Sequence, residues 1–256
     1  MSITVVSWNV NGIRSVFTKG FVQFLAAQQP DVLCVQETKI QPDQVPETMR
    51  HPVKGYDSVW HSALRKGYSS TATFFRHAPR SVNTMGVAEF DDEGRVQVLE
   101  FDTFTLVNAY FPNSQEERKR LAYKLRFVEA MTRLLNGLVA QGKNVILSGD
   151  YNIAHTAMDL ARPDQNENSA GYYIEERQAM ERLLSSGMVD TFRHFTREPG
   201  HYTWWSYRGG ARQRNVGWRI DYHCCNQAML DRVARSYILP QVTGSDHAPL
   251  VIDLRS

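Results

Sequence analysis

The sequence predicts an α/β fold in which two sheets pack together and helices flank them. Eight runs of apolar and β-branched residues recur along the 256 residues, and stretches with helical periodicity separate them. Two of these runs, 96–101 and 105–110, follow each other so closely that we expect antiparallel neighbours. Strands interspersed with helices, combined with antiparallel neighbours, are typical of an α/β sandwich of two packed mixed sheets.

Each strand is predicted from four to eight residues rich in Val, Ile, Leu, Phe or Tyr. In chain order the predicted strands are residues 3–10, 32–36, 71–75, 96–101, 105–110, 145–148, 219–225 and 250–254. Helices are predicted where apolar residues recur three or four positions apart. Three such stripes consist of Phe21, Phe24 and Leu25, then Leu121, Leu125, Val128 and Leu135, and finally Met180, Leu183 and Leu184.

The composition is that of an ordinary globular protein, with 42% hydrophobic and 22% charged residues. No repeat, low-complexity stretch or Gly/Ser-rich linker divides the chain, so we expect one domain over residues 1–256. No apolar segment approaches the ~20 residues that span a bilayer, and no secretory signal precedes the first strand. We therefore expect a cytoplasmic, nucleoid-associated protein with no membrane partner. Its three cysteines are expected to be reduced core residues: Cys34, Cys224 and Cys225.

The charge of the whole chain is nearly balanced, with 29 Lys plus Arg against 27 Asp plus Glu. The distribution along the chain is uneven, however. Residues 200–235 contain six Arg and two Asp, whereas residues 89–102 contain six acidic residues and one Arg. We predict a basic face and an acidic face, an arrangement that suits a polyanion approaching from one side.

Polar side chains follow the first two predicted strands. Asn9 and Asn11 occupy alternate positions, so both side chains should point to the same face. Asn11 precedes a glycine, which alone is often only turn chemistry. Glu37 ends the second apolar run, where a carboxylate is costly to bury unless it is paired or bound to a cation. Taken alone, Glu37 is equally well explained as a helix cap or a salt-bridge partner.

The arrangement seen at Asn9 and Asn11 recurs three more times. Asp150 and Asn152 follow an apolar strand two positions apart, Asp221 follows another apolar stretch, and Asp246 and His247 precede the last strand. His247 alone could be a capped surface imidazole, yet histidine is the side chain best suited to proton transfer near neutral pH. Four such positions in one chain are difficult to attribute to turns, and we predict that they form a single site.

These groups fit the hydrolysis of a phosphodiester assisted by Mg²⁺, with Mn²⁺ as a substitute. Glu37 offers hard oxygen ligands, and Asn11 and Asp246 are supplementary candidates. The predicted metal set also includes two residues with catalytic roles, Asp150 and Asn152.

Within the same site, Asp150 would orient or deprotonate the attacking water. His247, oriented by the carboxylate of Asp221, would stabilise the charge that develops on the phosphate. The groups that would hold the water or the phosphate in line are Asn9, Asn152 and Tyr110.

Eight blocks of the sequence resemble the signature blocks of exonuclease III-type apurinic/apyrimidinic (AP) endonucleases and occur in the same order. They are SWNVNGIR at 7–14, LCVQETK at 33–39, YFPN at 110–113, GDYNIAH at 149–155, DLARP at 159–163, YTWWSYR at 202–208, NVGWRIDY at 215–222 and SDH at 245–247. The resemblance implies a four-layer α/β sandwich of the deoxyribonuclease I-like kind. It also implies a Mg²⁺-dependent cut on the 5′ side of an abasic site that leaves a 3′-hydroxyl.

By the same resemblance, Glu37 corresponds to the metal ligand, Asp150 to the water-activating acid, and His247 with Asp221 to the imidazole pair. The residues expected to line a pocket for the extruded sugar are Trp204, Trp218 and Ile220. The further DNA-binding residues are expected to be Arg208, Asn113 and Asn166. The implied partner is duplex DNA with abasic sites or blocked 3′ ends, bound by a monomer that also has 3′–5′ exonuclease and 3′ phosphatase activities.

Two other functions remain open at this stage. Enzymes of the same fold hydrolyse other phosphoesters, such as inositol phosphates and sphingolipids. A protein with this fold could also bind nucleic acid as a regulator without catalysis. The competing interpretation of the tryptophans in the expected pocket is that they are ordinary core aromatics.

Overall fold

The computed structural model describes residues 2–255, which contain twelve strands and eight α-helices. The strands are β1 (Ile3–Asn9), β2 (Val32–Gln36), β3 (Asp57–His61), β4 (Thr71–Phe75), β5 (Ser81–Asn83), β6 (Val96–Glu100), β7 (Thr105–Tyr110), β8 (Val145–Asp150), β9 (Met188–Asp190), β10 (Asp221–Asn226), β11 (Val233–Ile238) and β12 (Leu250–Leu254). The helices are α1 (Ile13–Phe17), α2 (Phe21–Gln28), α3 (Glu47–Arg50), α4 (Ala88–Asp91), α5 (Leu121–Ala140), α6 (Pro163–Asn166), α7 (Ile174–Ser185) and α8 (Thr191–Phe195).

The strands form two mixed six-stranded sheets. The first has the order β11-β12-β1-β2-β4-β3, and the second has the order β5-β6-β7-β8-β10-β9. The parallel pairs, β1 with β2 and β7 with β8, lie in the interior of the sheets, and antiparallel strands flank them. Parallel neighbours end at the same edge of a sheet, so side chains that follow β1 and β2, or β7 and β8, come together there.

The two sheets pack face to face, with helices on their outer faces. Val5 and Cys34 of the first sheet contact Leu106 and Ile146 of the second in the layer between them. The alternate residues of the same strands point outward, and those of the first sheet pack against α2. The outward face of the second sheet packs against α5 and α7. The predicted α/β sandwich with four layers is therefore confirmed.

The four strands that the sequence did not predict are β3, β5, β9 and β11, and they are the edge strands of the two sheets. Edge strands commonly carry polar and charged residues, which discourage pairing with other chains and remove the apolar run that reveals a strand. The strand predicted from residue 219 begins instead at Asp221. The backbone N–H of Arg219 donates to the carbonyl of Asp159, which keeps this residue outside the sheet.

Two smaller expectations concern burial and the membrane. All three cysteines are free and buried, as predicted. Among the helices between residues 2 and 255, none combines the length and the apolar character needed to cross a membrane.

Candidate active site

The polar residues predicted at the strand ends meet at one edge of the two sheets. Asn9, the last residue of β1, lies beside Gln36 of β2, and Tyr110 of β7 lies beside Asp150 of β8. β10 runs antiparallel to β8, so its first residue, Asp221, pairs with Asp150 at the same edge. Asp221 therefore begins the strand that the sequence predicted from residue 219.

A cavity of about 220 Å³ opens at this edge. Nine of the predicted site residues line it: Glu37, Tyr110, Asn113, Asn152, Trp204, Trp218, Ile220, Asp246 and His247. Asn9, Asp150 and Asp221 are buried and hydrogen-bonded to these lining residues or to each other. The structure thus brings together the residues that the sequence had identified singly.

Asp150 is at the centre of a hydrogen-bond network. Its Oδ1 accepts from the backbone N–H of Asn152 at 2.8 Å. Its Oδ2 accepts from the side-chain amides of Asn9 at 2.8 Å and Asn152 at 3.2 Å. The side-chain oxygen of Asn152 in turn accepts from Asn113. These amides orient the carboxylate of Asp150 toward the cavity floor.

A second group of residues surrounds Glu37, which shares the side-chain amide of Asn9 with Asp150. The carboxylate of Glu37 accepts from Asn9 at 3.0 Å and lies 2.8 Å from the Lys39 ammonium. Lys39 also donates to the side chain of Asn11, whose amide donates to Asp246 at 3.0 Å. Lys39 was quoted in the sequence motif, but no role was predicted for it. In the sequence, this ion pair is indicated only by the position of Lys39 two residues after Glu37.

Several of these polar residues have left-handed backbone conformations. The φ angles are 46° at Asn11, 54° at Glu37, 52° at Lys39 and 51° at Asn152. Non-glycine residues adopt this region rarely and at a cost, and such residues cluster where a fold positions functional groups. The tight turns after β1, β2 and β8 therefore direct these side chains into the site.

The imidazole of His247 forms a pair with Asp221. His247 Nδ1 lies 2.9 Å from Asp221 Oδ2, and Nε2 faces the site at 4.0 Å from Asp150 Oδ2. Thr203 accepts hydrogen bonds from the backbone N–H groups of Ile220 and Asp221, which fixes the position of this carboxylate. The role of Thr203 was not predicted, because the sequence shows only an ordinary threonine between aromatic residues.

Aromatic and apolar side chains form the outer part of the cavity. The rings of Trp204 and Trp218 meet edge to face with centroids 6.4 Å apart, and Ile220 packs beside them. The indole N–H of Trp204 donates to Asp246 at 3.0 Å, which joins this wall to the polar wall. Both tryptophans are only half-buried, so they are surface residues of a cavity and not part of a closed core.

A larger groove of about 700 Å³ continues from this cavity and shares Trp204 and Trp218 with it. Arg208 and Asn166, both predicted to contact DNA, line this groove together with Arg214. Arg208 is exposed and forms no ion pair among residues 2–255. Its guanidinium is therefore available to a ligand in the groove.

The predicted basic face formed by residues 200–235 is only partly formed, because its arginines have different roles. Arg219 is completely buried and pairs with Asp159 and Asp190. Arg212 donates to three backbone carbonyls, and Arg235 pairs with Asp253. A count along the sequence cannot separate cations that hold the fold together from cations that face a ligand, and here Arg208 and Arg214 are the ones that line the groove.

The sequence pattern of the endonuclease/exonuclease/phosphatase family matches residues 6–247. The chain belongs to this family. It is 43% identical to an exodeoxyribonuclease of Bacillus subtilis, over 96% of this chain and 97% of that protein. It is also 40% identical to a DNA-(apurinic or apyrimidinic site) endonuclease of Dictyostelium discoideum, over 98% of this chain and 70% of that one.

Solved structures agree with this assignment. An AP endonuclease from Leishmania major superposes with a TM-score of 0.90 at 29% identity, over 100% of this chain and 88% of the other. A 3′ phosphatase from Neisseria bound to a product DNA hairpin superposes with a TM-score of 0.89 at 26% identity, over 99% and 100%. The likeness extends over the whole chain and includes both sheets of the family fold.

Charges in the family site are strongly coupled. Burial, and then the nearby charge of Asp221, raise the pKa of Asp150 to about 7. Burial opposes protonation of His247, but the carboxylate of Asp221 outweighs it and raises the pKa of His247 to about 10. Burial would also raise the pKa of Glu37, yet Lys39 and Asn9 hold this pKa below its ordinary value. At neutral pH the site therefore contains an imidazolium, an ionised Glu37 and an Asp150 close to its titration point.

These pKa values predict how stability changes with pH. The pKa of His247 is higher in the folded protein than the 6.5 of the unfolded chain, so its stabilising effect is full below pH 6.5 and disappears as the pH rises toward 10. Between pH 7 and 9, in chelator, we expect the free energy of unfolding to fall by about 2 kcal/mol. Urea unfolding at several pH values measures this slope. His247→Gln should flatten the slope, and an equal slope in that variant would show that another group is responsible.

Buried carboxylates in the site also fit a metal ion, and a protonated His247 lies beside them. Asp150, Asp221 and His247 each place one ligand atom within 4.8 Å of the others. Asp221 Oδ1 is buried and has no hydrogen-bond partner within residues 2–255, which leaves an oxygen free for a cation or a water. Glu37 and Asp246 supply further carboxylate oxygens in the lining of the cavity.

Proposed function

We propose that the protein is a DNA-repair hydrolase that cuts the phosphodiester 5′ to an abasic site in duplex DNA and leaves a 3′-hydroxyl. The observation that carries the proposal is that His247, 4.0 Å from the buried Asp150, lines a small cavity together with Trp204, Trp218 and Ile220. The exodeoxyribonuclease and AP endonuclease names of the relatives support it.

The cavity suits a sugar that carries no base. An abasic nucleotide is already unstacked, so extruding it costs less than the few kcal/mol that a normal nucleotide requires. The walls formed by the two tryptophans and Ile220 offer apolar contact to the sugar ring, while the floor offers hydrogen bonds to the phosphate. A site with a flat or wholly polar opening would not favour an abasic sugar over a normal nucleotide.

In the proposed reaction Asp150 accepts a proton from the attacking water. A pKa near 7 suits a general base at neutral pH, because part of the population is ionised and the group still binds a proton well. Asn9 and Asn152 hold this carboxylate and the water in line with the phosphorus atom. Tyr110 presents its phenol to the same cavity and contributes a further hydrogen bond to the phosphate.

The imidazolium of His247 stabilises the charge on the phosphate as the bond breaks. Its Nδ1–H donates to Asp221, which leaves Nε2–H directed at the site. A donor that is fixed before the reaction needs no reorganisation when the charge develops. The Asp221 carboxylate therefore maintains both the orientation and the positive charge of the ring.

We also propose that Mg²⁺, or Mn²⁺ in its place, binds at Glu37, with Asp246 and Asn11 as supporting residues and Asp150 and Asn152 nearby. Carboxylate and amide oxygens are the ligands that Mg²⁺ prefers. His247 is a poor ligand here, because its ring is protonated and already paired with Asp221. When bound, the ion would supply a positive charge to a phosphate oxygen and to the departing oxygen.

The proposal further includes residues 1–256 as one domain that acts as a monomer in the nucleoid-containing cytoplasm. One chain contributes all the residues of the cavity, so the chemistry needs no second copy.

Processing of blocked 3′ ends is a second activity of the same site, and it is supported by the likeness to the Neisseria 3′ phosphatase.

Arg208→Ala should weaken binding to duplex DNA. Its exposed, unpaired cation lines the groove next to the cavity, where it can contact a phosphate or enter the base stack. If it contacts a phosphate, the slope of log affinity against log salt should fall by about 1. Titration of a fluorescent duplex at several salt concentrations measures both quantities, with Arg133→Ala on the outer helix α5 as the matched control. Unchanged affinity at low and high salt would contradict the assignment.

A comparison of substrates tests the proposed function. An abasic duplex, the same duplex without the lesion, a duplex with a 3′ phosphate and a phosphoinositide are incubated separately with the protein. We expect the abasic duplex to be cut fastest and the phosphoinositide to remain intact. Hydrolysis of the phosphoinositide without DNA cleavage would indicate a phosphatase of the same fold, and binding without turnover would indicate a regulator.

A further inference from the structure

Two charged side chains are fully buried behind the site and have no part in the chemistry proposed above. Lys124 of α5 and Glu176 of α7 are both 0% exposed, and Nζ lies 2.7 Å from Oε1. Removing two charges from water is costly, and a buried ion pair is for that reason weak evidence of a stabilising role. The other contacts of the pair therefore show what it contributes.

Lys124 and Glu176 also form hydrogen bonds to the backbone around the active site. Lys124 Nζ donates to the carbonyl oxygen of Asn152 at 2.6 Å. Glu176 Oε2 accepts from the backbone N–H of Gly171 at 2.8 Å and of Tyr173 at 3.0 Å. The pair thus connects the turn after β8, which holds Asp150, to the segment that forms one wall of the cavity.

Asn152 needs such support because its backbone is left-handed, with φ of 51°. In this conformation its amide nitrogen donates to Asp150 and to the carbonyl of Phe111, and its oxygen accepts from Asn113. Rotation of the following peptide would release the left-handed turn that keeps the Asn152 side chain beside Asp150. The ammonium of Lys124 opposes that rotation because it is a charged donor to the peptide oxygen.

The wall on the other side of the pair is equally constrained. Gly171 lies so close to the turn that a Cβ at this position would be 3.1 Å from the Asn152 carbonyl oxygen and 3.4 Å from the Trp218 ring. Glu176 accepts a hydrogen bond from the N–H of Gly171 on the side away from the cavity. A shift of this segment would change the shape of the cavity next to Trp218.

We propose that Lys124 is a positioning residue that fixes the peptide of Asn152 and so aligns Asn152 with Asp150, while Glu176 fixes the Gly171 wall of the cavity. This inference rests on the proposed function, because its main readout is cleavage of an abasic duplex. The two halves of the pair should then affect different kinetic constants. Loss of the Lys124 contact should lower kcat, and loss of the Glu176 contacts should raise KM.

The double variant Lys124→Met/Glu176→Gln tests the first half. It removes both charges together, so no unpaired charge is left in the interior. The glutamine oxygen still accepts from Gly171 and Tyr173, but the Asn152 carbonyl loses its donor. We expect a folded protein whose KM is close to that of the wild type and whose kcat is lower by about 10²-fold, as a small misplacement of a reacting group can cause. A kcat equal to that of the wild type would overturn the proposal.

A matched control separates positioning from general destabilisation. Leu135 is buried on the same helix, about 16 Å further along its axis. Leu135→Ala should lower the melting temperature and leave kcat unchanged at 25 °C. If Leu135→Ala lowers kcat as much as the double variant does, the pair has only a structural role.

Two further measurements keep the test decisive. If the double variant does not fold, Lys124→Gln/Glu176→Gln takes its place, because it also leaves no buried charge and its shorter, neutral amide is a weaker donor to the Asn152 carbonyl. A crystal structure of the variant should show a displaced Asn152, and an unmoved Asn152 would contradict the proposal. If the wild type itself leaves the abasic duplex intact, the proposed function fails, and the crystal structure alone decides the positioning role.

Discussion

Asp150→Asn should reduce cleavage of an abasic duplex by roughly 10²–10⁴-fold, the range expected when a general base is lost. The substituted side chain would retain an oxygen for the backbone N–H of Asn152 but could not accept the proton of the attacking water. It would also place an amide nitrogen near the donors of Asn9 and Asn152. Single-turnover cleavage at saturating protein measures the chemical step directly.

The control for this variant is Asp253→Asn. Asp253 is a buried aspartate of β12 that bonds to Thr4 and Arg235, away from the cavity. It should lose some thermal stability while keeping the wild-type cleavage rate. If the Asp150 variant keeps more than a tenth of the wild-type rate, Asp150 is not the general base. Another group must then activate the attacking water.

His247→Ala should reduce the cleavage rate by about 10²–10³-fold, as the loss of one fixed donor to a developing negative charge does in other enzymes. The expected cause is the loss of the Nε2–H that faces the site beside Asp150. Asp221→Asn should have a similar but smaller effect, because the ring remains while its positive charge is no longer stabilised. Affinity for the uncut duplex should change much less than the rate.

The pH dependence of the Asp221→Asn variant tests the role of Asp221 separately. In Asp221→Asn the pKa of His247 should fall toward its ordinary value, so activity should decline as the pH rises above about 7. His194→Ala, on the exposed side of α8, serves as the control and should behave like the wild type. If Asp221→Asn and the wild type have the same pH profile at alkaline pH, Asp221 does not maintain the charge of His247.

Most of the fold and the centre of the site could be predicted from the sequence, for one physical reason. Interior strands such as β2 and β8 are continuous apolar runs, and the polar residues directly after them must lie at a sheet edge. The edge strands were missed because their sequences mix polar and apolar residues, as in β3 and β11.

Contacts between distant residues could not be predicted in the same way. Lys124 lies in an amphipathic helix where a lysine normally faces solvent, and only the folded chain shows that it points inward to Glu176 and Asn152. Arg219 has the same sequence context as an arginine on a DNA-binding surface, yet its partners Asp159 and Asp190 bury it. Such pairs are determined by the tertiary structure and leave no local pattern.

The central claim is that this site hydrolyses the phosphodiester on the 5′ side of an abasic site. The most direct test is a labelled duplex with one synthetic abasic site, incubated with the protein in Mg²⁺ or in chelator and resolved on a sequencing gel. We expect a single cut 5′ to the lesion that leaves a 3′-hydroxyl, occurs in Mg²⁺ and is absent in chelator. An intact duplex despite tight binding, or a cut on the 3′ side, would contradict it.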